Sequence, residues 1–367
     1  MNGQPAPADG RSVEVLAFRA ADGDCLLIRC HGSLRTFNVV VDGGRAGTLP
    51  RLKRFFEAQT DRRIDLFVVS HIDSDHIAGA IAVARDLELA PLIGEIWFNG
   101  PQHLSGDGSR SLTIDEGDIL IDLIERNGWT WNGSFAQQAA MRRPEEMALW
   151  PAGEGGPEIR LLGPYPEALR TLAAKWTGSV PAPAPEYVSG AIVMGEEDEK
   201  LHVYLSAQER YVPDPSNVND TSIAFVLRFH GCSVAVCSDS HAETLVRSID
   251  ADFGGALTVD VATLPHHGSA ANMSIELAKR LQARTWIVST DGGRQREKKP
   301  TRASVARVLT SRRPDGHPVE IAFNYDQQAA KLWYNTAAQA EFNYSVRYAA
   351  DDEDFIAIHL PSPPDAY

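Results

Sequence analysis

Between positions 71 and 76 the chain reads His71-Ile72-Asp73-Ser74-Asp75-His76, which puts four side chains able to bind metal within six residues. Imidazole nitrogens and carboxylate oxygens together suit divalent cations such as zinc and manganese. The cluster follows the apolar run Ile64-Asp65-Leu66-Phe67-Val68-Val69, a strand signal that ends at Ser70. Beyond it, Ile77, Ala80, Ile81 and Ala84 recur at helical spacing. A turn from strand into helix can splay neighbouring ligands, so that His71 and Asp73 face one ion while Asp75 and His76 face another. Two ions about 3.5–4 Å apart can clamp both the attacking and the leaving oxygen of a displacement. The plain alternative is a polar helix start capped by Asp73 or Ser74, with the histidines exposed; four ligand side chains at one junction weigh against it.

Two further strand ends carry the same residue types. Ser222–Leu227 and Ser233–Val236 read as consecutive strands around His230-Gly231, and the second runs into Cys237-Ser238-Asp239-Ser240. A helical pattern through Leu245, Val246 and Ile249 follows. Asp239 by itself reads as a helix cap, yet at a strand end it could also bridge two cations. A third strand, Val259–Leu264, ends in Pro265-His266-His267-Gly268-Ser269, where glycine permits close backbone approach. Ligands of open α/β architectures gather at one edge of the sheet, so the three clusters are expected to converge.

In chain order, Asp22-Gly23-Asp24-Cys25, Asp42-Gly43-Gly44, His71 to His76, Asn219-Asp220-Thr221-Ser222, Asp239 and Pro265 to Ser269 resemble the metallo-β-lactamase superfamily. They look most like the β-lactamase-like hydrolase domain of bacterial competence (DNA-uptake) channel proteins and their soluble relatives. The resemblance implies an α/β (α+β) fold, a four-layer αββα sandwich with a lid-like insertion, whose metals lie at the sheet edges and bridge a hydroxide nucleophile. It implies two divalent ions, Zn or Mn, with His71 and Asp73 on one and Asp75 and His76 on the other. Asp239 would bridge them, and His266 or His267 would complete the second site. Asp75 and Asp239 become the candidate catalytic carboxylates, and Asp42 a structural support for the ligand loops. Asp73 stands where most members have histidine, a feature shared with the competence-type branch. Many relatives supply another ligand histidine before the residue that Asp239 matches; here Asn219 and Asp220 occupy the corresponding stretch. Lys299, in Lys298-Lys299-Pro300, stands where the branch often carries Gly-His-Pro, so Lys299 and Asn219 are candidate substrate-binding residues.

Composition bounds the partners. The 367 residues are 43% hydrophobic and 23% charged, ordinary values for a globular chain. No apolar run approaches the roughly 20 residues of a membrane span. Cys25 and Cys30, like Cys232 and Cys237, are spaced so that a strand puts them on opposite faces. Four reduced core thiols and no apolar leader make a cytoplasmic location the expectation. A net charge of −14 argues against a grip on long duplex DNA. Residues 284 to 313 nevertheless hold nine basic side chains, among them Arg284, Lys298, Lys299, Arg302 and Arg307. These could meet a substrate phosphate, although a solvated helix face explains them equally.

The expected organisation is a flexible N-terminus (1–12), a hydrolase domain (13–340) with an insertion at about 101–215, and an acidic, Pro-containing tail (341–367). Trp129, Trp131, Trp150 and Trp176 fall in the insertion. There they would either stack on a substrate ring or, the preferred reading, form a small core of their own. The expected activity is a metal-dependent phosphodiesterase or nuclease acting on a nucleotide or single strand. The alternatives are hydrolysis of a phosphocholine ester, lactone or thioester, and a non-catalytic metal-binding subunit that docks a protein partner through 101–215.

Overall fold

The computed structural model describes residues 11–105, 116–143, 148–149, 155–176, 198–293, 298–311 and 316–363. Its strands are β1 (Ser12–Phe18), β2 (Leu26–His31), β3 (Thr36–Val41), β4 (Ile64–Val68), β5 (Ile93–Trp97), β6 (Thr130–Trp131), β7 (Ala148–Leu149) and β8 (Glu158–Gly163) in the first part of the chain. The second part adds β9 (Ala224–Phe229), β10 (Cys232–Val236), β11 (Leu257–Thr263), β12 (Leu281–Val288), β13 (Val319–Phe323), β14 (Tyr344–Tyr348) and β15 (Phe355–Pro361). They form two mixed sheets, one ordered β15-β1-β2-β3-β4-β5-β6 and the other β14-β13-β12-β11-β10-β9-β8-β7. β3 to β6 run parallel, as do β10 to β14.

Parallel strands buried on both faces need continuous apolar runs, and β4 shows why. Leu66 and Val68 join a core filled from both sheets by Val15, Ile28, Val39, Phe225, Val234, Val261 and Ile287. Phe67 and Val69 face the other way, against the helices Leu49–Glu57, Ser74–Arg85 and Glu116–Asn127. The outer face of the second sheet is covered likewise, by apolar residues of the helices Ala242–Phe253, Ile275–Arg280, Arg302–Thr310 and Thr336–Phe342. Burying a Val, Leu or Phe side chain is worth about 1.5–3 kcal/mol, so the pattern holds the two sheets together and covers both outsides.

Three expectations about organisation need correction. Residues 341–363 are no tail: β14 extends the second sheet beside β13, and β15 pairs antiparallel with β1 along its whole length. The acidic run before it is anchored, with Arg54 donating to Asp354 at 2.7 Å. The 101–215 stretch is not simply laid over a finished core, because β6 completes one edge of the first sheet and β7 and β8 the edge of the second. Trp129 and Trp131 are bound into the body of the fold, donating to the carbonyls of Ala90 and Phe98; Trp150 and the Trp176 side chain lie outside the described residues. Residues 1–10 lie outside them too, and Ser12 already belongs to β1. All four cysteines are free and buried. No helix among the described residues is long and apolar enough to cross a membrane.

Candidate metal centre

The turns after β4, β10 and β11 meet at one end of the two sheets, and their side chains close on Asp239. Asp239 follows Ser238, which adopts φ 46°. His266 and His267 follow β11 as two consecutive left-handed residues, φ 50° and 55°. Asp42 is left-handed as well, φ 58°. Non-glycine residues in this region cost of order 1–3 kcal/mol each and persist where their surroundings over-determine them. Glycine allows the close packing: a β-carbon on Gly23 would lie 1.7 Å from the carbonyl oxygen of Asp75. Asp73 occupies the N-cap position of the Ser74–Arg85 helix but makes no capping hydrogen bond. Its carboxylate lies instead 3.7 Å from His71 Nε2, and its side chain is 44% exposed.

Around Asp239, His76 Nε2 stands 3.4 Å from Oδ1. His266 Nε2 stands 3.4 Å, His267 Nε2 3.7 Å and His71 Nε2 3.8 Å from Oδ2. His76 Nε2 and His267 Nε2 face each other at 3.3 Å, and Asp75 Oδ2 lies 3.4 Å from His267 Nε2. Asp24, His76, Asp239 and His267, all buried, offer atoms that lie within 4.8 Å of one another.

The hydrogen bonds behind the rings assign the tautomers. Asp42 accepts from the Ser70 backbone N–H and from Ser70 Oγ, both at 2.7 Å, and its Oδ2 lies 2.9 Å from His76 Nδ1. Because the Ser70 hydroxyl proton is committed to Asp42, Ser70 Oγ can only accept from His71 Nδ1, 2.9 Å away. The Ser289 carbonyl, 3.1 Å from His267 Nδ1, likewise leaves that nitrogen as the donor. In each neutral ring the proton is on Nδ1 and the lone pair of Nε2 points at Asp239. A metal-binding histidine is oriented in this way. His71 Nε2 and Asp239 Oδ1 are buried with no hydrogen-bond partner, and buried polar atoms left without a partner at one carboxylate fit a cation there.

Ionisation follows from this crowding. Burial by itself would push His76 and His267 down, but Asp239, with Asp42 and Asp75 for His76 and Asp24 for His267, outweighs it; His76 is held well above the ordinary range and His267 is raised to about 10. Burial opposes the charge on Asp75 and Asp239, yet the imidazoles around them keep both well below the usual carboxylate range. Without metal, the cluster is therefore a knot of imidazolium–carboxylate pairs, and a metal ion would have to displace those protons.

Asn219 borders this centre, donating 2.7 Å to Asp214 Oδ2 with its Nδ2 3.5 Å from His266 Nδ1. Lys299 is tied in through its backbone, its carbonyl accepting from Gln327, while Pro300 packs on Gly268. No contact between the Lys299 side chain and the cluster occurs among the described residues. Three members of the basic stretch are placed away from the centre: Arg284 is exposed on β12, Lys298 donates to Gly293 O, and Arg307 is buried, donating to the carbonyls of Ala270, Met273 and Glu209. Arg294, Arg296, Arg312 and Arg313 lie outside the described residues. Ranking of residues from sequence overlooked Asp24, Ser70, Asp214 and Asn272. The Asp22-Gly23-Asp24 run signalled the first; nothing local marks the others.

No family model matches this chain, and no curated protein does either. Among solved structures, a mutant of the CmlA beta-hydroxylase is similar over 98% of this chain and 55% of that one, at 11% identity and a TM-score of 0.37. This chain thus spans about half the length of that neighbour. A likeness at that level carries no functional argument.

Proposed function

We propose that this chain is a metal-dependent hydrolase of the αββα metallo-β-lactamase type, holding two divalent ions, zinc or manganese, around Asp239. The observation that supports this best is the meeting of three strand ends at one buried carboxylate, with four imidazole Nε2 atoms turned inward and no hydrogen-bond partner for His71 Nε2 and Asp239 Oδ1. The three apolar layers, one between the sheets and one outside each, support the architecture. Bound there, divalent ions would supply Lewis acidity and water activated at neutral pH. His71 and Asp73 would hold one ion, Asp75, His76 and His267 the other, and Asp239 both. Asp42 fixes His71, through Ser70, and His76 directly. Asp73, the most exposed of these side chains, marks the side from which substrate would enter.

We place a phosphodiester first as the substrate class. Its support is the carboxylate of Asp73 where most superfamily members have an imidazole, which hardens the donor set, and Lys299, which precedes the Pro300 that packs on Gly268. The net charge of −14 favours a nucleotide or other small substrate over duplex DNA. A small carboxylic ester, lactone or thioester is the second reading, favoured by Arg307 serving structure instead of substrate. The test is turnover of bis-p-nitrophenyl phosphate and of p-nitrophenyl acetate by manganese- and zinc-loaded protein, with Asp239→Ala as control. Phosphodiester cleavage lost in the variant is expected; cleavage of the acetate alone moves the substrate class, and silence on both with two ions bound overturns both readings.

A further inference from the structure

His266 and His267 are neighbours with different attachments. His267 is committed to the side of Asp75 and His76 by its 3.4 Å and 3.3 Å approaches to them. His266 reaches neither; of the central carboxylates it approaches only Asp239, at the Oδ2 oxygen that His71 and, from 3.7 Å, His267 also face, so what separates the two neighbours is that His267 alone reaches Asp75 and His76. The two left-handed residues turn the chain so that successive rings leave it in different directions, their planes 65° apart.

The orientation of His266 is fixed by a chain of hydrogen bonds that leads away from the centre. Asn272 Nδ2 lies 2.9 Å from Asp214 Oδ2, 3.1 Å from the Asp239 carbonyl and 3.3 Å from the Ser240 carbonyl. Three acceptors around one end of an amide make that end the nitrogen. The other end, Oδ1, therefore faces His266 Nδ1 at 2.9 Å, and an amide oxygen has no proton to give. His266 Nδ1 must donate, with Asp214 Oδ2 reinforcing it from 3.5 Å. In the neutral ring, Nε2 then presents a lone pair to a carboxylate oxygen 3.4 Å away, and two acceptors at that distance require something positive between them.

We propose that His266 is a ligand in its own right on the His71–Asp73 side of Asp239, and that Asn272 and Asp214 are positioning residues that set its tautomer. The assignment rests on the two-ion reading above and supplies an imidazole where the matching stretch of this sequence has Asn219 and Asp220 instead. It also separates the paired histidines: His267 serves one ion and His266 the other. A second proton on His266 would reconcile the same distances without metal, and metal binding distinguishes the two.

The experiment is metal content of the full chain by mass spectrometry after loading with Zn²⁺ and desalting, in wild type, His266→Ala, His267→Ala and the double variant, with thermal melts to verify folding. The expected counts are two ions, one, one and none. Two ions retained in His266→Ala overturn the assignment while the two-ion reading stands. One ion retained in the double variant means both histidines serve the same ion and overturns it as well. A wild type that takes up fewer than two ions overturns the underlying reading and the assignment with it. Asn272→Leu keeps the ligand and frees its Nδ1; loss of a positioning partner of this kind weakens metal about 10–100-fold. Chelator competition should show that loss for one ion only, and two unchanged affinities would remove Asn272 and Asp214 from the assignment.

Discussion

The centre has two sides, built to different standards. On the side of Asp75, His76 and His267 both imidazoles are fully buried, each Nδ1 is tied to an acceptor, and Asp24 and Asp42 close the back. On the side of His71, Asp73 and His266, one carboxylate is 44% exposed and one imidazole 22%. Support for that side comes through longer relays, Asp42–Ser70–His71 and Asp214–Asn272–His266. Burial raises the cost of an uncompensated charge and strengthens every interaction inside, so the first side is expected to hold its ion tightly. The second keeps water and substrate within reach. A site that must both retain metal and admit a reactant gains from dividing those tasks between its halves.

Removing the shared carboxylate should break both sides at once. Asp239→Ala is expected to take up neither ion and to hydrolyse nothing, by metal analysis and turnover, and one firmly held ion in that variant would show that Asp239 does not bridge. Asp42→Ala strikes the buried side harder. Losing one partner of a buried pair costs about 3–5 kcal/mol, and losing a ligand's support about 10–100-fold in metal affinity. Thermal melts and chelator titration should show both effects, and an unchanged melting temperature would contradict the role given to Asp42.

Acidity offers a subtler probe. His76 and His267 have folded-state pKa values above the ordinary 6.5, so in metal-free protein their stabilisation is complete below about pH 6.5. It is lost as the pH climbs, for His267 through about 10. Metal needs these rings neutral, so its affinity should rise across the same window. The gap between metal-loaded and metal-free melting temperatures should therefore widen with pH, and a constant gap would argue against both the paired rings and their use as ligands. The smallest effect is expected from Arg307→Met, which leaves the Ala270 and Met273 carbonyls unpaired beside Asn272. A cost of about 1–3 kcal/mol, with weakened binding of the His266-side ion alone, would show that this side depends on its loop; equal loss at both ions would erase the distinction.

The strand-to-helix junctions after β4 and β10 were legible because apolar runs and helical periodicity mark burial locally. The edge strands β6 and β7 were not, being two residues each with little periodicity to read. β14 and β15 were hidden because acidic residues and prolines around them suggested solvent. In the fold, Arg54 and Arg51 pair with Asp354, and β15 finds β1 as a partner.

By itself the sequence determined the ligand chemistry: which imidazoles and carboxylates exist, that they follow strands, and that glycines stand where close approach is needed. Only the tertiary structure decided which of them meet. His76 and His267 face each other across 191 residues of chain, Asp214 enters from a segment with no ligand pattern, and adjacent histidines part company. The reason is physical: periodicity records how each segment is buried, whereas a coordination shell depends on where several strand ends come to rest, which only sheet pairing and core packing fix.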